Sequence, residues 1–139
     1  MRNLVVFDLD GTLLETSAID DRCSIAAWRE EFSIDCSCVD VPLVSSDGRS
    51  SREEIVRQAI RLALPERDDA GSPRIVLVGD APWDVNTARR LSLPFLGIAH
   101  GEKRKRLLAS GAEHVLADFS DFSTVASALQ QAVVPCPME

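Results

Sequence analysis

Two short acidic motifs hold the residues whose types and spacing could do chemistry. Asp8-Leu9-Asp10-Gly11-Thr12-Leu13-Leu14 follows directly on an apolar run, and Gly79-Asp80-Ala81-Pro82-Trp83-Asp84 closes a second one. Asp8 and Asp10 alternate along an extended segment, so both carboxylates can converge on one pocket. Asp84 opens a helical pattern, where a negative charge suits the dipole. Asp8, Asp10, Asp80 and Asp84 brought together would repel strongly unless a cation neutralised them. All-oxygen ligands select a hard ion, and Mg²⁺ held by a few carboxylates plus a substrate phosphate is the common case. Gly11 lets the chain turn away and leaves backbone N–H groups facing a phosphate at the Gly11–Thr12 turn. The chemistry these residues suit is metal-assisted phosphoryl transfer. Each motif alone is ordinary, since D-x-D-G is common in turns and a lone Asp84 would be a helix-end charge. Both together, each after a buried strand, point to a site.

The elements that must position these acids alternate along the chain. Leu4–Phe7 is an apolar run too short for a helix and reads as a strand buried on both faces. Arg74–Val78, Pro94–Ala99 and His114–Ala117 repeat the pattern, and Val41–Val44 is a weaker candidate whose proline suits an edge. Helical periodicity covers about 17–32, 51–64, 84–92, 102–110 and 121–133. Ser50 with Glu53, or Ser51 with Glu54, would make a capping box at the start of the second helix, and Gly111 is placed to stop the fourth. Alternation of this kind predicts an α/β fold: a Rossmann-like three-layer sandwich with a mostly parallel sheet. In such sheets the chemistry sits at the carboxyl ends of strands, where Asp8 and Asp80 fall.

Composition bounds the rest. The 139 residues suit a single domain over 1–139, with 45% hydrophobic and 27% charged residues. A net charge of −7 argues against a nucleic-acid surface, which needs clustered positive charge, but not against a phosphate substrate once a metal reverses the local field. Cys23, Cys36, Cys38 and Cys136 lack zinc-site spacing and read as reduced thiols. His100 and His114 are matched to no nucleophile, so a hydrolytic triad is not indicated. The chain enters a strand at once and has no run approaching a membrane span, so a cytoplasmic protein without a signal peptide or membrane contact is expected. Lys103-Arg104-Lys105-Arg106 reads as a solvated helix face and Trp28 as core. Trp83 divides evenly between loop packing and lining the site. The tail from Pro135 to Glu139 is expected to fray.

Residues 8–14 resemble motif I of the haloacid dehalogenase-like hydrolases, and residues 78–88 resemble their motif IV, G-D-x-x-x-D-x-x-x-A. Leu91–Ala99 followed by Gly111–Val115 is similar to the downstream part of phosphoglycolate-phosphatase-like members. The resemblance implies a Mg²⁺-dependent phosphatase acting on a small phosphorylated metabolite. Asp8 would be the nucleophile and form an aspartyl-phosphate. Asp10 would protonate the leaving group and then activate water. Asp8, the backbone carbonyl of Asp10, and Asp80 would hold the metal, with Asp84 acting directly or through water.

The chain departs from that pattern in its middle. The family also uses a Ser or Thr after a second strand, and a Lys or Arg before motif IV. The only lysines here are Lys103 and Lys105, both after motif IV, and the interval from Asp8 to Asp80 is short. On one reading, Val41–Val44 is the second strand, Ser45 or Ser46 supplies the hydroxyl, and Arg49 or Arg74 replaces the lysine. On the other, Asp47–Ile55 resembles the G-R-T-D-x-E-I segment of cap domains, and 15–64 is a cap remnant. The second is preferred, because no further strand fits between 64 and 74. The competing functional expectation is a shortened, catalytically weak relative that binds metal or a partner. A vestigial or missing cap leaves an open site, and a shortened sheet favours self-association, most simply a symmetric homodimer.

Overall fold

The computed structural model describes residues 3–8, 44, 48, 50–64 and 72–136. Asp10, Gly11, Thr12, Ser45, Ser46, Arg49, the 17–32 helix and all but Val44 of the weak 41–44 strand lie outside them. Among the described residues, four strands form one all-parallel sheet in the order β1 (Asn3–Phe7), β2 (Arg74–Gly79), β3 (Phe95–Ile98) and β4 (Val115–Leu116). Four helices alternate with them: α1 (Arg52–Ala63), α2 (Pro82–Leu91), α3 (Gly101–Ala109) and α4 (Phe122–Gln131). This is the Rossmann-like α/β arrangement expected from the alternation of runs and periodic segments.

The period of the strands divides the core into two layers. On β2, Leu77 faces α1, α2 and α3 with Val56, Val85 and Leu107, while Val76 and Val78 face α4 with Ala128 and Ala132. Phe95 and Leu96 on β3, and Val115 and Leu116 on β4, split between the same two faces. One residue of register would exchange the two faces. The register Val5↔Val76, Leu77↔Phe95 and Gly97↔Val115 therefore follows from which side chains must be dry. β2 and β3 are buried on both faces, as continuous apolar runs require. β1 differs from expectation: Leu4, Val5 and Val6 are half-buried and Phe7 is exposed, packing edge-on against Phe119 at 6.0 Å. It is one of the two outer strands of the described sheet, so it has a described neighbour on one side alone.

Local signals mark the helix ends. Ser51 caps α1 by accepting from the Glu54 amide, and the Glu54 carboxylate reaches back to the Ser50 N–H and hydroxyl. Thus Ser51, not Ser50, takes the capping role, with Glu54 as its partner. Gly111 ends α3 at φ 98, and a Cβ there would lie 2.6 Å from the Cys136 carbonyl oxygen. That contact belongs to a clamp on the C-terminal segment. Arg89 donates from Nε to the Cys136 carbonyl at 2.9 Å and from Nη2 to the Ser110 carbonyl, while the Cys136 N–H bonds to Gly111. The chain expected to fray from Pro135 is therefore tied down as far as Cys136, whose free thiol is held above its usual range by the Glu113 carboxylate beside it. No helix among the described residues is long and apolar enough to cross a membrane.

Leu107 is fully buried between α3 and the sheet and touches the core from which the carboxyl edge is built. Leu107→Ala should lower unfolding free energy by about 2–5 kcal/mol through lost transfer energy and the cavity left behind. Urea denaturation with an unchanged slope would establish this.

Candidate metal and anion site at the carboxyl edge

Parallel strands followed by helices that run back along the sheet put every strand end and every helix first turn on one edge. Asp8 follows β1 and donates its N–H to the Val78 carbonyl at 2.9 Å, which locks it beside the end of β2. Asp80 follows β2 directly, and Asp84 stands in the first turn of α2. Each of the three offers a carboxylate oxygen, and these oxygens all lie within 4.8 Å of one another. The sequence-based convergence of Asp8, Asp80 and Asp84 is thus present in the fold. The remaining site residues expected from sequence, Asp10, Gly11, Thr12 and Ser45, are among those outside the described set.

Asp84 is only 4% exposed, and two local features hold it there. Its Oδ2 accepts the Ala81 N–H at 3.1 Å, satisfying the helix start where Ala81 has no side-chain acceptor. Its side chain also lies flat against Gly79, where a Cβ would come within 2.6–2.8 Å of Asp84 atoms. The glycine of the G-D-x-x-x-D motif is therefore a matter of space: any side chain would push Asp84 out of the site. Burial is the largest influence on Asp84 and raises its pKa from 3.8 to about 6, against the opposing pull of Arg52.

Two cations complete the cluster, and the sequence reading named neither for this role. Arg52, the first residue of α1, places Nη1 3.4 Å from Asp84 Oδ1 and 4.0 Å from Asp8 Oδ1. Lys103, in the first turn of α3, donates from Nζ to Asp80 Oδ2 at 3.2 Å. Arg74, one of the two arginines considered for this task, is elsewhere. It begins β2 at the opposite edge, where its guanidinium donates to the Gln130 and Ala132 carbonyls. The basic run from Lys103 to Arg106 is likewise more than a solvated face. Lys103 enters the site, Arg104 donates to the Val115 carbonyl, and Lys105 pairs with Glu102. Arg52 and Lys103 were legible in principle, because a charged residue in the first turn of any helix in a parallel α/β sheet arrives at the carboxyl edge. α1 is set by Val56 in the core and by a 2.9 Å ion pair between Arg90 and Glu53. Trp83, one residue before Asp84, is 53% exposed, and its ring lies 5.2 Å from the Arg52 guanidinium carbon. It lines the site rather than filling the core.

The donor set fits a hard divalent cation: three carboxylates of which Asp84 is the most deeply buried, close enough to share an ion and costly to hold together ionised without one. Comparison of the chain with protein-family models, with curated proteins and with solved structures gave no match. The functional reading therefore rests on this geometry and on the two motifs.

Two outcomes follow. In metal-free protein the folded state keeps the Asp84 proton up to about pH 6, whereas the unfolded chain releases it near 3.8. The folded pKa is the raised one, so this contribution to stability is complete below the unfolded value and is lost as pH rises through about 6. The loss is on the order of 2–3 kcal/mol across that window. Asp84→Asn should abolish it, seen as a wild-type-minus-variant difference that changes sharply between pH 4 and 7 in denaturant titrations. A second outcome concerns the metal: saturating Mg²⁺ should raise the melting temperature by mass action, and Asp80→Asn should remove most of that rise. A melting curve indifferent to Mg²⁺ in both proteins would mean that the acids do not act as a ligand set.

Proposed function

We propose that this chain is a Mg²⁺-dependent phosphohydrolase of the haloacid dehalogenase-like type, acting on a small phosphorylated metabolite through Asp8. The observation that carries the reading is the meeting of Asp8, Asp80 and Asp84 within 4.8 Å, flanked by Arg52 and Lys103. A carboxylate nucleophile cannot approach a phosphate dianion without positive charge between them. Arg52, within 4.0 Å of Asp8, is the side chain suited to offset that repulsion, in the role for which the family pattern uses Lys or Arg before motif IV.

In the proposed reaction Asp8 attacks phosphorus, and the bond to the leaving oxygen breaks as the aspartyl-phosphate forms. Asp10 gives its proton to the leaving oxygen, then takes one from the water that hydrolyses the acyl phosphate. Mg²⁺, when bound by Asp8, Asp80 and Asp84 with the Asp10 carbonyl, supplies charge neutralisation at the phosphoryl oxygens. The Gly11–Thr12 turn and the Ser45 hydroxyl are the proposed phosphate contacts on the other side. Asp84, closed off from solvent and bonded to the Ala81 N–H, keeps the ligand set in place.

Hydrolysis of an aryl phosphate with and without Mg²⁺ tests the reading. Wild type should turn over only with the metal, and Asp8→Asn should lose about 10³-fold or more. Arg52→Met should lose about 10²-fold, the scale of removing one preorganised electrostatic group. Activity that survives in Asp8→Asn would refute the mechanism. Mg²⁺ binding with no turnover in wild type would favour a metal-binding relative without catalysis.

A further inference from the structure

We infer that Trp83 is a positioning residue for Arg52: its indole face holds the guanidinium over the acid cluster, where it would meet the phosphoryl group. The inference rests on the phosphoryl reading of the site and adds to it a residue that the two acidic motifs do not account for. Arg52 is held at three points, by Asp84 at 3.4 Å, by Asp8 at 4.0 Å and by the Trp83 ring at 5.2 Å. The two carboxylate contacts are long for charge-assisted hydrogen bonds. Both acids also belong to the candidate ligand set, so a cation among them takes a share of the charge that attracts Arg52. The ring quadrupole is not shared in this way, and its attraction for a guanidinium persists when the acids are neutralised.

The surroundings of Trp83 agree with this role. It is 53% exposed and belongs to neither core cluster, so its bulk is not what packs α2 on the sheet. Its backbone is nevertheless fixed, with Pro82 before it and its carbonyl accepting the hydroxyl of buried Thr87 at 2.9 Å. A rigid aromatic face thus stands beside a long side chain that is itself half-exposed at 49%. Arginine loses substantial rotamer freedom when held in one place, and a stacked plane limits that loss to a surface already in position.

The test uses the full chain and inorganic phosphate as the probe, titrated by calorimetry in saturating Mg²⁺. Trp83→Leu should weaken phosphate binding by about 3- to 10-fold, and Trp83→Phe should restore part of it. Trp83→Leu on an Arg52→Met background should weaken it no further, because the ring acts through the guanidinium. Melting temperatures should stay close to wild type in all three. Additive effects of the two substitutions, or no effect of Trp83→Leu on a wild type that binds phosphate, would overturn the inference. NMR of the Arg52 side chain separates this from failure of the phosphoryl reading. In metal-free protein the Arg52 δ protons should lie upfield over the indole and lose both that displacement and their order in Trp83→Leu. Unchanged Arg52 order in Trp83→Leu would overturn the positioning role whether or not phosphate binds. Loss of that order in a protein that binds no phosphate would leave the Trp83–Arg52 hold standing and refute the phosphoryl reading alone.

Discussion

The carboxyl edge of this protein is governed by the repulsion of Asp8, Asp80 and Asp84, whose oxygens lie within 4.8 Å of one another. Charges of one sign this close to a dry core cannot all remain ionised and unpartnered. The fold answers in two ways without any ion. Arg52 and Lys103 each lean onto one side of the cluster, and Asp84, chiefly through its burial and in small part through the Asp80 charge, keeps its proton up to about pH 6. A divalent cation would do both tasks at once, which is why the same geometry that strains the metal-free protein makes it a ligand set.

Holding that strain falls to the sheet. Gly79 leaves room for Asp84 to lie against the strand end, and the Ala81 N–H gives its carboxylate a fixed partner. Behind them Val78, Val85, Leu96 and Leu107 are fully buried, so the strand end and the first turn of α2 cannot drift apart without opening the core. The energy that keeps three acids together is therefore apolar burial a few residues away, which does not depend on protonation or on ionic screening where the site itself does.

Four of the cations contrast in what they touch. Arg74 and Arg89 donate to main-chain carbonyls and secure the last helix and the segment after it. Arg52 and Lys103 face carboxylates at the carboxyl edge and keep 49% and 66% of their side-chain surface in solvent. Of these four, Arg52 and Lys103 are the two that stand beside the acid cluster. Residue type does not separate the two groups; the edge of the sheet on which each side chain emerges does.

Much of this was present in the sequence, because it depends on neighbours along the chain. Apolar runs of strand length, helical periods between them, the Ser51–Glu54 cap, the stop at Gly111 and an acid after each of two strands are local patterns with local physical causes. They determined the alternating fold and marked Asp8, Asp10, Asp80 and Asp84 as a set, of which the three among the described residues meet. The site's positive charge was not legible in the same way. Arg74 was a reasonable candidate by position along the chain, yet it starts a strand and so emerges at the edge opposite the acids. Arg52 and Lys103 are distant from motif I and from each other in sequence, and reach the acid cluster because α1 and α3 both begin at the carboxyl edge of the sheet. The stacking of Trp83 under Arg52, and the burial that raises the Asp84 pKa, belong to the same class. Each depends on which helix packs beside which, and the packing of apolar faces across the whole sheet decides that.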